Sequence, residues 1–141
     1  MAIVTPQPIL MGNASIKIGG TSGNNYEGAV SSVEFQPTAG SVNFKGLAPT
    51  AVFTYATSPT WALALTFAQD WDTTNSLSNY LFDNQGKTVQ VDVYPVAGTG
   101  KKGFSAQVII QPGSIGGAID SVAVSTVTLG VIGAPARVTQ A

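Results

Sequence analysis

The chain contains no cysteine and no histidine, and only 9% of its 141 residues are charged. Without cysteine it cannot form disulfides, thiolate nucleophiles or cysteine-based zinc sites. Without histidine it lacks the usual proton shuttle and the commonest metal ligand, and a Ser-His-Asp triad is impossible. Asp, Glu, Lys, Tyr and Ser would have to supply all proton transfer. These absences argue against an enzyme, and we expect no cofactor and no bound metal.

Charge of either sign is scarce. An average soluble domain carries about 25% charged residues, whereas six basic and seven acidic residues here give a net charge of −1. Because the cores of protein interfaces are depleted in charge, this composition indicates that copies of the chain cover part of each other's surface. The lack of clustered Lys and Arg argues against tight nucleic-acid binding.

Long apolar runs are also missing. No stretch approaches the roughly 20 apolar residues that a membrane-spanning helix needs. The first charged residue is Lys17, so the N-terminal segment lacks the basic region of a signal peptide. We therefore expect synthesis in the cytoplasm and no membrane anchor.

Short stretches of alternating apolar and polar residues dominate what is present, and this period of two predicts β-strands. The strongest runs from Trp61 to Phe67, with a face of small residues opposite its apolar face. A shift in apolar phase within the last strand predicts a bulge near Ser125 and Thr126. The other predicted strands are 15–18, 33–35 and 42–44 (paired as a hairpin spanning about 29–45), 52–55, 88–93, 104–110 and 119–131.

One helix is predicted, because Leu77, Tyr80 and Leu81 follow helical spacing. Asp72, Thr73 or Thr74 is expected to cap it, and the run 83–86 ends it. Residues 1–13, which include two prolines, predict an extended N-terminal arm. The sequence thus predicts a single, mainly β domain over residues 1–141 with one short helix.

Two motifs that suggest chemistry have simpler interpretations. The glycine-rich run 98–103 is not a phosphate-binding loop, because Pro95 stands where such a loop needs glycine and Lys102 where it needs Ser or Thr. It is instead interpreted as an exposed hairpin tip that contacts a partner through Lys101 and Lys102. Asp70 and Asp72 are interpreted as helix-capping residues and not as a catalytic pair.

Five short segments stand out by their order along the chain: Lys45–Pro49, Trp61–Trp71, Ser76–Phe82, Pro112–Gly117 and Gly130–Pro135. In this order they resemble the major tail tube proteins of long, non-contractile-tailed bacteriophages. The resemblance extends from Ser15 to Arg137, and its weight lies in the order of the motifs.

The resemblance implies a β-sandwich with one flanking helix. It implies that six copies close into a ring whose inner sheets join as a continuous β-barrel, and that rings stack into the hollow tail tube of a virion. Such a tube surrounds a tape measure protein, meets tail terminator and tail-tip proteins at its ends, and lets double-stranded DNA pass. Ring stacking is a heterologous contact that generates an open filament, and a shared barrel satisfies exposed strand edges.

A lumen that conducts DNA should bind it weakly, so a neutral or acidic lining is expected. We predict that the lumen is lined by polar residues of the strands: Glu34, Asn43 and Asp92. We predict that contacts between subunits or rings come from the arm, from the segment 46–59 and from the glycine-rich tip. The residues are Ile9, Leu10, Met11, Pro49, Phe53, Tyr55, Lys101 and Lys102.

Two other classes remain open at this point. Another virion β-sandwich, such as a capsid decoration or tail-end protein, would have the same composition. A carbohydrate-binding module would need exposed aromatic residues in a row, and Trp61 falls in phase with the apolar face of its strand, which favours the core.

Overall fold

Strands account for 46% of the structure, a computed structural model that describes residues 1–141, and helix for 7%. This confirms the prediction of a mainly β fold with one short helix. The strands are β1 (Ser15–Ile18), β2 (Asn24–Asn25), β3 (Val30–Thr38), β4 (Ser41–Lys45), β5 (Val52–Ala56), β6 (Thr60–Ala68), β7 (Thr88–Tyr94), β8 (Lys102–Ile109) and β9 (Val124–Thr139). The helix α1 spans Leu77–Asp83, after β6.

The strands form one large antiparallel sheet and one separate hairpin. The sheet has seven strands in the order β2-β1-β7-β8-β9-β6-β3, and β4 pairs only with β5. The long strand β9 belongs to two layers, because residues 124–130 pair with β6 and residues 131–139 pair with β8. We call β3, β6 and residues 124–130 the three-strand layer. The five-strand layer consists of β2, β1, β7, β8 and residues 131–139 of β9. The sheet is not closed into a barrel within one chain.

Apolar side chains from both layers meet in a single core. Along β6, Leu63, Leu65 and Phe67 are buried while the small residues between them lie on the outer face, as the period of two predicts. Leu77 and Leu81 of α1 are buried in the same core. The buried cluster consists of Ile16, Ile18, Tyr26, Leu63, Leu65, Phe67, Leu77, Leu81, Val91, Val93, Val108, Ile110, Val127 and Leu129.

β9 contains a bulge within the part that pairs with β8, and not at the predicted position. The pairing of β8 with β9 jumps from Ser105–Ala136 to Gln107–Ile132. Between these pairs lies Gly133, whose φ of 75° favours glycine. Pro135, which has no backbone donor, also falls in the bulge, where the ladder needs none. The strand therefore passes through a glycine and a proline that resemble a stop signal in the sequence.

The predicted bulge at Ser125 and Thr126 is wrong, since both residues pair in register with β6. Ser125 occupies a core position, 1% exposed, and its hydroxyl lies 3.2 Å from that of Ser114. A polar residue at a buried position makes the apolar phase appear to shift. The strand also starts at Val124 and not near Ile119, which lies in the preceding loop.

The predicted hairpin between β3 and β4 is also wrong. β3 pairs with β6, from Val30–Phe67 to Thr38–Thr60, and β4 pairs with β5. The Thr57 N–H donates to the Gly40 carbonyl at 2.9 Å and links the two ladders. Residues 30–68 thus form one long two-stranded ribbon, with β3 and β4 along one side and β5 and β6 along the other. The break after Thr38 interrupts the ladder, but the chain reverses only between β4 and β5.

The helix begins later than predicted. Its N-cap is Ser76, whose hydroxyl accepts from the Asn79 N–H at 3.4 Å, and not Asp72, Thr73 or Thr74. Asp70 instead accepts from the N–H groups of Asp72 and Thr73 and forms a turn ahead of the helix. No helix in the structure is both long enough and apolar enough to cross a membrane.

Candidate assembly surfaces

The N-terminal arm lies outside the core. Residues 1–13 form neither helix nor strand, and all are exposed. Of the candidate contact residues there, Ile9 is 66% exposed, Leu10 87% and Met11 51%. Three neighbouring apolar side chains therefore have no partner within the chain.

The β4–β5 hairpin carries a second exposed apolar surface. Residues directly opposite each other share a face, and the register places Phe44 opposite Phe53 and Val42 opposite Tyr55. The two phenylalanine rings are 6.4 Å apart. Every residue of both strands is exposed. We call these four residues the hairpin apolar face.

Among the candidate contact residues, Phe53 and Tyr55 lie on the hairpin apolar face, and Pro49 lies in the exposed tip between β4 and β5. Val42 and Phe44 are not among the predicted contact residues, although their alternation with Ser41 and Asn43 predicts a strand. The alternation of β4 alone does not reveal the strand with which it pairs. Only the register with β5 shows that all four apolar side chains form one surface.

The outer side of the three-strand layer presents almost only small, uncharged side chains. Glu34 is the single charged residue among them, and it accepts a hydrogen bond from Gln36 Nε2 at 2.9 Å. Thr66 and Thr126 bring their hydroxyls to 3.2 Å across the strands. We call this surface the small-residue face. It comprises Ser32, Glu34, Gln36, Thr38, Thr60, Ala62, Ala64, Thr66, Ala68, Val124, Thr126, Thr128 and Gly130.

The three predicted lumen residues lie on three different surfaces. Glu34 is on the small-residue face, whereas Asn43 is on the polar side of the hairpin, opposite the hairpin apolar face. Asp92 is on the outer side of the five-strand layer, where its Oδ1 accepts from Gln90 Nε2 at 3.1 Å. Glu34 and Asp92 are thus separated by the core, and no single sheet face contains both.

The glycine-rich turn between β7 and β8 is fixed to the end of β9. Gln140 accepts from the Gly98 N–H through its side chain at 2.7 Å and donates its own N–H to the Lys101 carbonyl at 2.8 Å. Lys102 Nζ donates to the Thr139 hydroxyl at 2.9 Å. Both lysines are exposed, so they lie together on a well-anchored turn.

The carboxylates do not form a metal-binding cluster. No group of three or more Asp, Glu, His or Cys residues lies close enough to hold a metal ion. Hydrogen bonds from the side chain and the backbone N–H of Thr73 hold the pKa of the Asp70 carboxyl below its ordinary value. This carboxylate stabilises a local turn and does not cap α1, whose N-cap is Ser76, so the predicted helix-capping role of Asp70 and Asp72 is wrong.

No protein-family model matches the sequence, and no curated protein does either. Solved structures do show the same fold. A chain from the virion of a native gene transfer agent particle is 11% identical, with a TM-score of 0.63 over 89% of this chain and 95% of that one. A chain from the tail of an empty gene transfer agent particle, with C6 symmetry, is 15% identical, with a TM-score of 0.61 over 86% and 92%.

Proposed function

We propose that the chain is a structural protein of a phage-type tail, and that six copies form rings that stack into a hollow tail tube. The observation that carries this proposal is the shared fold with a chain from a tail of C6 symmetry, over 86% of this chain. The unpaired strand edges and exposed apolar surfaces of the single chain support it, because in a soluble monomer both are aggregation hazards.

In the proposed ring the three-strand layers face inward and continue from copy to copy as a barrel. The small-residue face then lines the lumen, with Glu34 as its one carboxylate per copy. Short hydroxyl and methyl side chains offer no cations to phosphates, so double-stranded DNA passes without being held. Asn43 lines the part of the lumen formed by the polar side of the hairpin. Asp92, on the opposite layer, belongs to the outer wall and not to the lumen.

Stacking of rings is assigned to the hairpin. Burying an apolar side chain as large as Phe contributes about 1.5–3 kcal/mol, and the hairpin apolar face exposes four large side chains, at 49–64%. Pro49 in the tip, the arm residues Ile9, Leu10 and Met11, and the turn with Lys101 and Lys102 complete the contacts between copies. The tube encloses a tape measure protein and ends at terminator and tip proteins, so the protein is located in the virion tail.

Negative-stain electron microscopy of the purified full chain, alone and with the other tail components, tests this proposal. We expect stacked rings or tubes with sixfold end views. Knobs bound to capsids would favour a decoration protein instead, and single rings confined to tail ends would favour a tail-end protein. Either result would contradict the tube.

The lumen assignment has its own test. Glu34→Lys should leave tubes intact but make them retain DNA in low salt, because each ring gains cations on its inner surface. Asp92→Lys is the matched control, since it adds the same charge on the opposite layer. Equal retention by both variants would contradict the assignment of the small-residue face to the lumen.

A further inference from the structure

A groove of about 470 Å³ follows the open edge of the sheet. One wall is formed by residues 11–16, at the root of the arm and the start of β1, and the other by residues 27–34, which lead into β3. β3 is the last strand of the sheet, so the backbone groups along one of its edges pair with no strand of this chain. Val33 and Phe35, on the core side of β3, are only half-buried. We call this the seam groove.

The arm has the pattern of a strand without a partner. In an extended chain alternate side chains share a face, and the even positions Val4, Pro6, Pro8 and Leu10 are all apolar. The odd positions are mixed, with polar residues at Thr5 and Gln7. Val4 is 86% exposed and Leu10 is 87% exposed, so the apolar face of the arm is not used within its own chain.

The two prolines make this strand one-sided. The N–H groups of alternate residues in a strand point to the same edge. Pro6 and Pro8 therefore remove two successive donors from one edge, whereas Thr5, Gln7 and Ile9 keep their donors on the other. A segment of this kind pairs fully along one edge, whereas its other edge keeps the carbonyl acceptors but lacks these two donors, as is tolerated for proline at the edge of a sheet.

We propose that residues 3–10 of one copy add as an edge strand to β3 of a neighbouring copy and fill its seam groove. Eight residues at about 3.3 Å each span about 26 Å, which matches the roughly 30 Å of a nine-residue strand such as β3. The even, apolar face covers Val33 and Phe35 of the neighbour, and Gln7 lies on the polar side with Ser32 and Glu34. The arm has no charged side chain, so the carboxylates of Glu27 and Glu34 in the groove do not repel it.

This inference rests on the proposed function, since a ring brings the copies side by side, and it names the second copy as the partner of the β3 edge. The added arm extends the sheet of each copy by one strand, and this contact does not involve the β4–β5 hairpin. The arm of the same chain is not the occupant in the structure, because residues 1–10 are exposed outside the groove.

The absence of cysteine allows a direct test by disulfide trapping. A chain with Gln7→Cys is mixed with a separately tagged chain carrying Ser32→Cys, Glu34→Cys or Gln36→Cys, three positions on one face of β3 that cover the register. A disulfide needs Cα atoms about 4.4–6.8 Å apart. We expect one of the three mixtures to give at least about ten times more mixed dimer on a non-reducing gel than Gln7→Cys with Thr88→Cys, at the far end of β7.

A second pair of variants tests the face of the arm. The double change Val4→Asn with Leu10→Asn should abolish the mixed disulfide, because it makes the face toward Val33 and Phe35 polar. Ile3→Asn with Thr5→Asn, which adds the same uncharged groups on the other face, should largely keep it. Circular dichroism checks that both variants fold.

Two results would overturn the inference. One is mixed dimers no more abundant than in the Thr88→Cys control. The other is a single chain carrying Gln7→Cys together with the β3 cysteine that forms its disulfide only within the chain. Tubes of the wild-type chain without the mixed disulfide would reject the arm exchange and leave the tube standing. The mixed disulfide without rings or tubes would reject the tube and leave the arm exchange standing.

Discussion

The core and the β4–β5 hairpin use the same kinds of side chain in opposite surroundings. Leu63, Leu65 and Leu129 in the core are 0% exposed, whereas Phe44 and Phe53 on the hairpin are 64% and 49% exposed. Apolar burial stabilises a fold only where water is excluded. The stability of one chain therefore resides in the core between the two layers, and the hairpin contributes free energy only when another molecule covers it.

The largest effect on the single chain is expected from the core. Leu65→Ala should lower the free energy of unfolding by about 2–5 kcal/mol, because it removes buried methyl groups and leaves a cavity. Urea denaturation measures the change. The control Thr128→Ala, on the exposed small-residue face, should change it by about 0.5 kcal/mol or less. Equal effects of the two substitutions would contradict the placement of the core.

The reverse is expected of the hairpin. Phe44→Ser combined with Phe53→Ser should change the free energy of unfolding by only about 1 kcal/mol, the order of one exposed aromatic pair, but should prevent tube formation. Asn43→Ser with Thr54→Ser, on the polar side of the same hairpin, is the matched control and should leave tubes intact. Urea denaturation and electron microscopy give the two readouts. A variant of the apolar face that still forms normal tubes would remove the hairpin from the stacking contact.

A smaller effect is expected at the one buried hydroxyl of the core that has no hydrogen-bond partner, that of Tyr26. The Tyr26 ring lies 6.0 Å from that of Tyr80. Tyr26→Phe should therefore raise the free energy of unfolding by about 1 kcal/mol, since an unsatisfied buried polar group costs about 1–3 kcal/mol.

Tyr80→Phe is the comparison for this substitution, and it should give a smaller gain, because Tyr80 is only half-buried. A loss of stability in Tyr26→Phe would show that its hydroxyl is satisfied in solution.

The smallest effect concerns the turn before α1. The pKa of Asp70 is lowered in the folded chain by hydrogen bonds from Thr73, so its contribution to stability is present above the ordinary pKa of an aspartate. It is lost as pH falls through the lowered folded pKa. Asp70→Asn should flatten this part of the pH dependence, measured by thermal unfolding between about pH 5 and 2.

Thr73→Val, which removes the side-chain hydrogen bond to the Asp70 carboxyl, should reduce the same part of the pH dependence. An unaltered profile in Asp70→Asn would show that the turn does not depend on the charge of Asp70.

The local pattern of the sequence predicts most strands but not their partners. The run from Trp61 to Phe67 alternates cleanly, and β6 is found at Thr60–Ala68. The segments around Val33 and Val42 also form strands, yet they do not pair with each other, because β3 pairs with β6 and β4 pairs with β5. Alternation fixes which residues share a face, whereas pairing depends on the path of the whole ribbon.

Because the sequence does not reveal the pairing of strands, it also does not reveal which candidate residues share a surface. Glu34 and Asp92 have the same local setting, a carboxylate between two apolar residues, but the fold places them on opposite layers. Phe53 and Tyr55 could be selected as exposed aromatics, but their union with Val42 and Phe44 follows only from the register of β4 with β5. The Ser76 cap could not be chosen over Asp72 because several capping residues precede the helix, and only the path of the preceding turn selects one.

Amide hydrogen exchange of the β4–β5 hairpin, compared between the dilute chain and assembled tails, tests most directly the claim that copies of this protein cover each other's exposed apolar surface. We predict that the amides of residues 41–56 exchange rapidly in the dilute chain and become strongly protected on assembly, whereas those of the central core strands are protected in both states. Hairpin amides that exchange equally fast in both states would contradict the account.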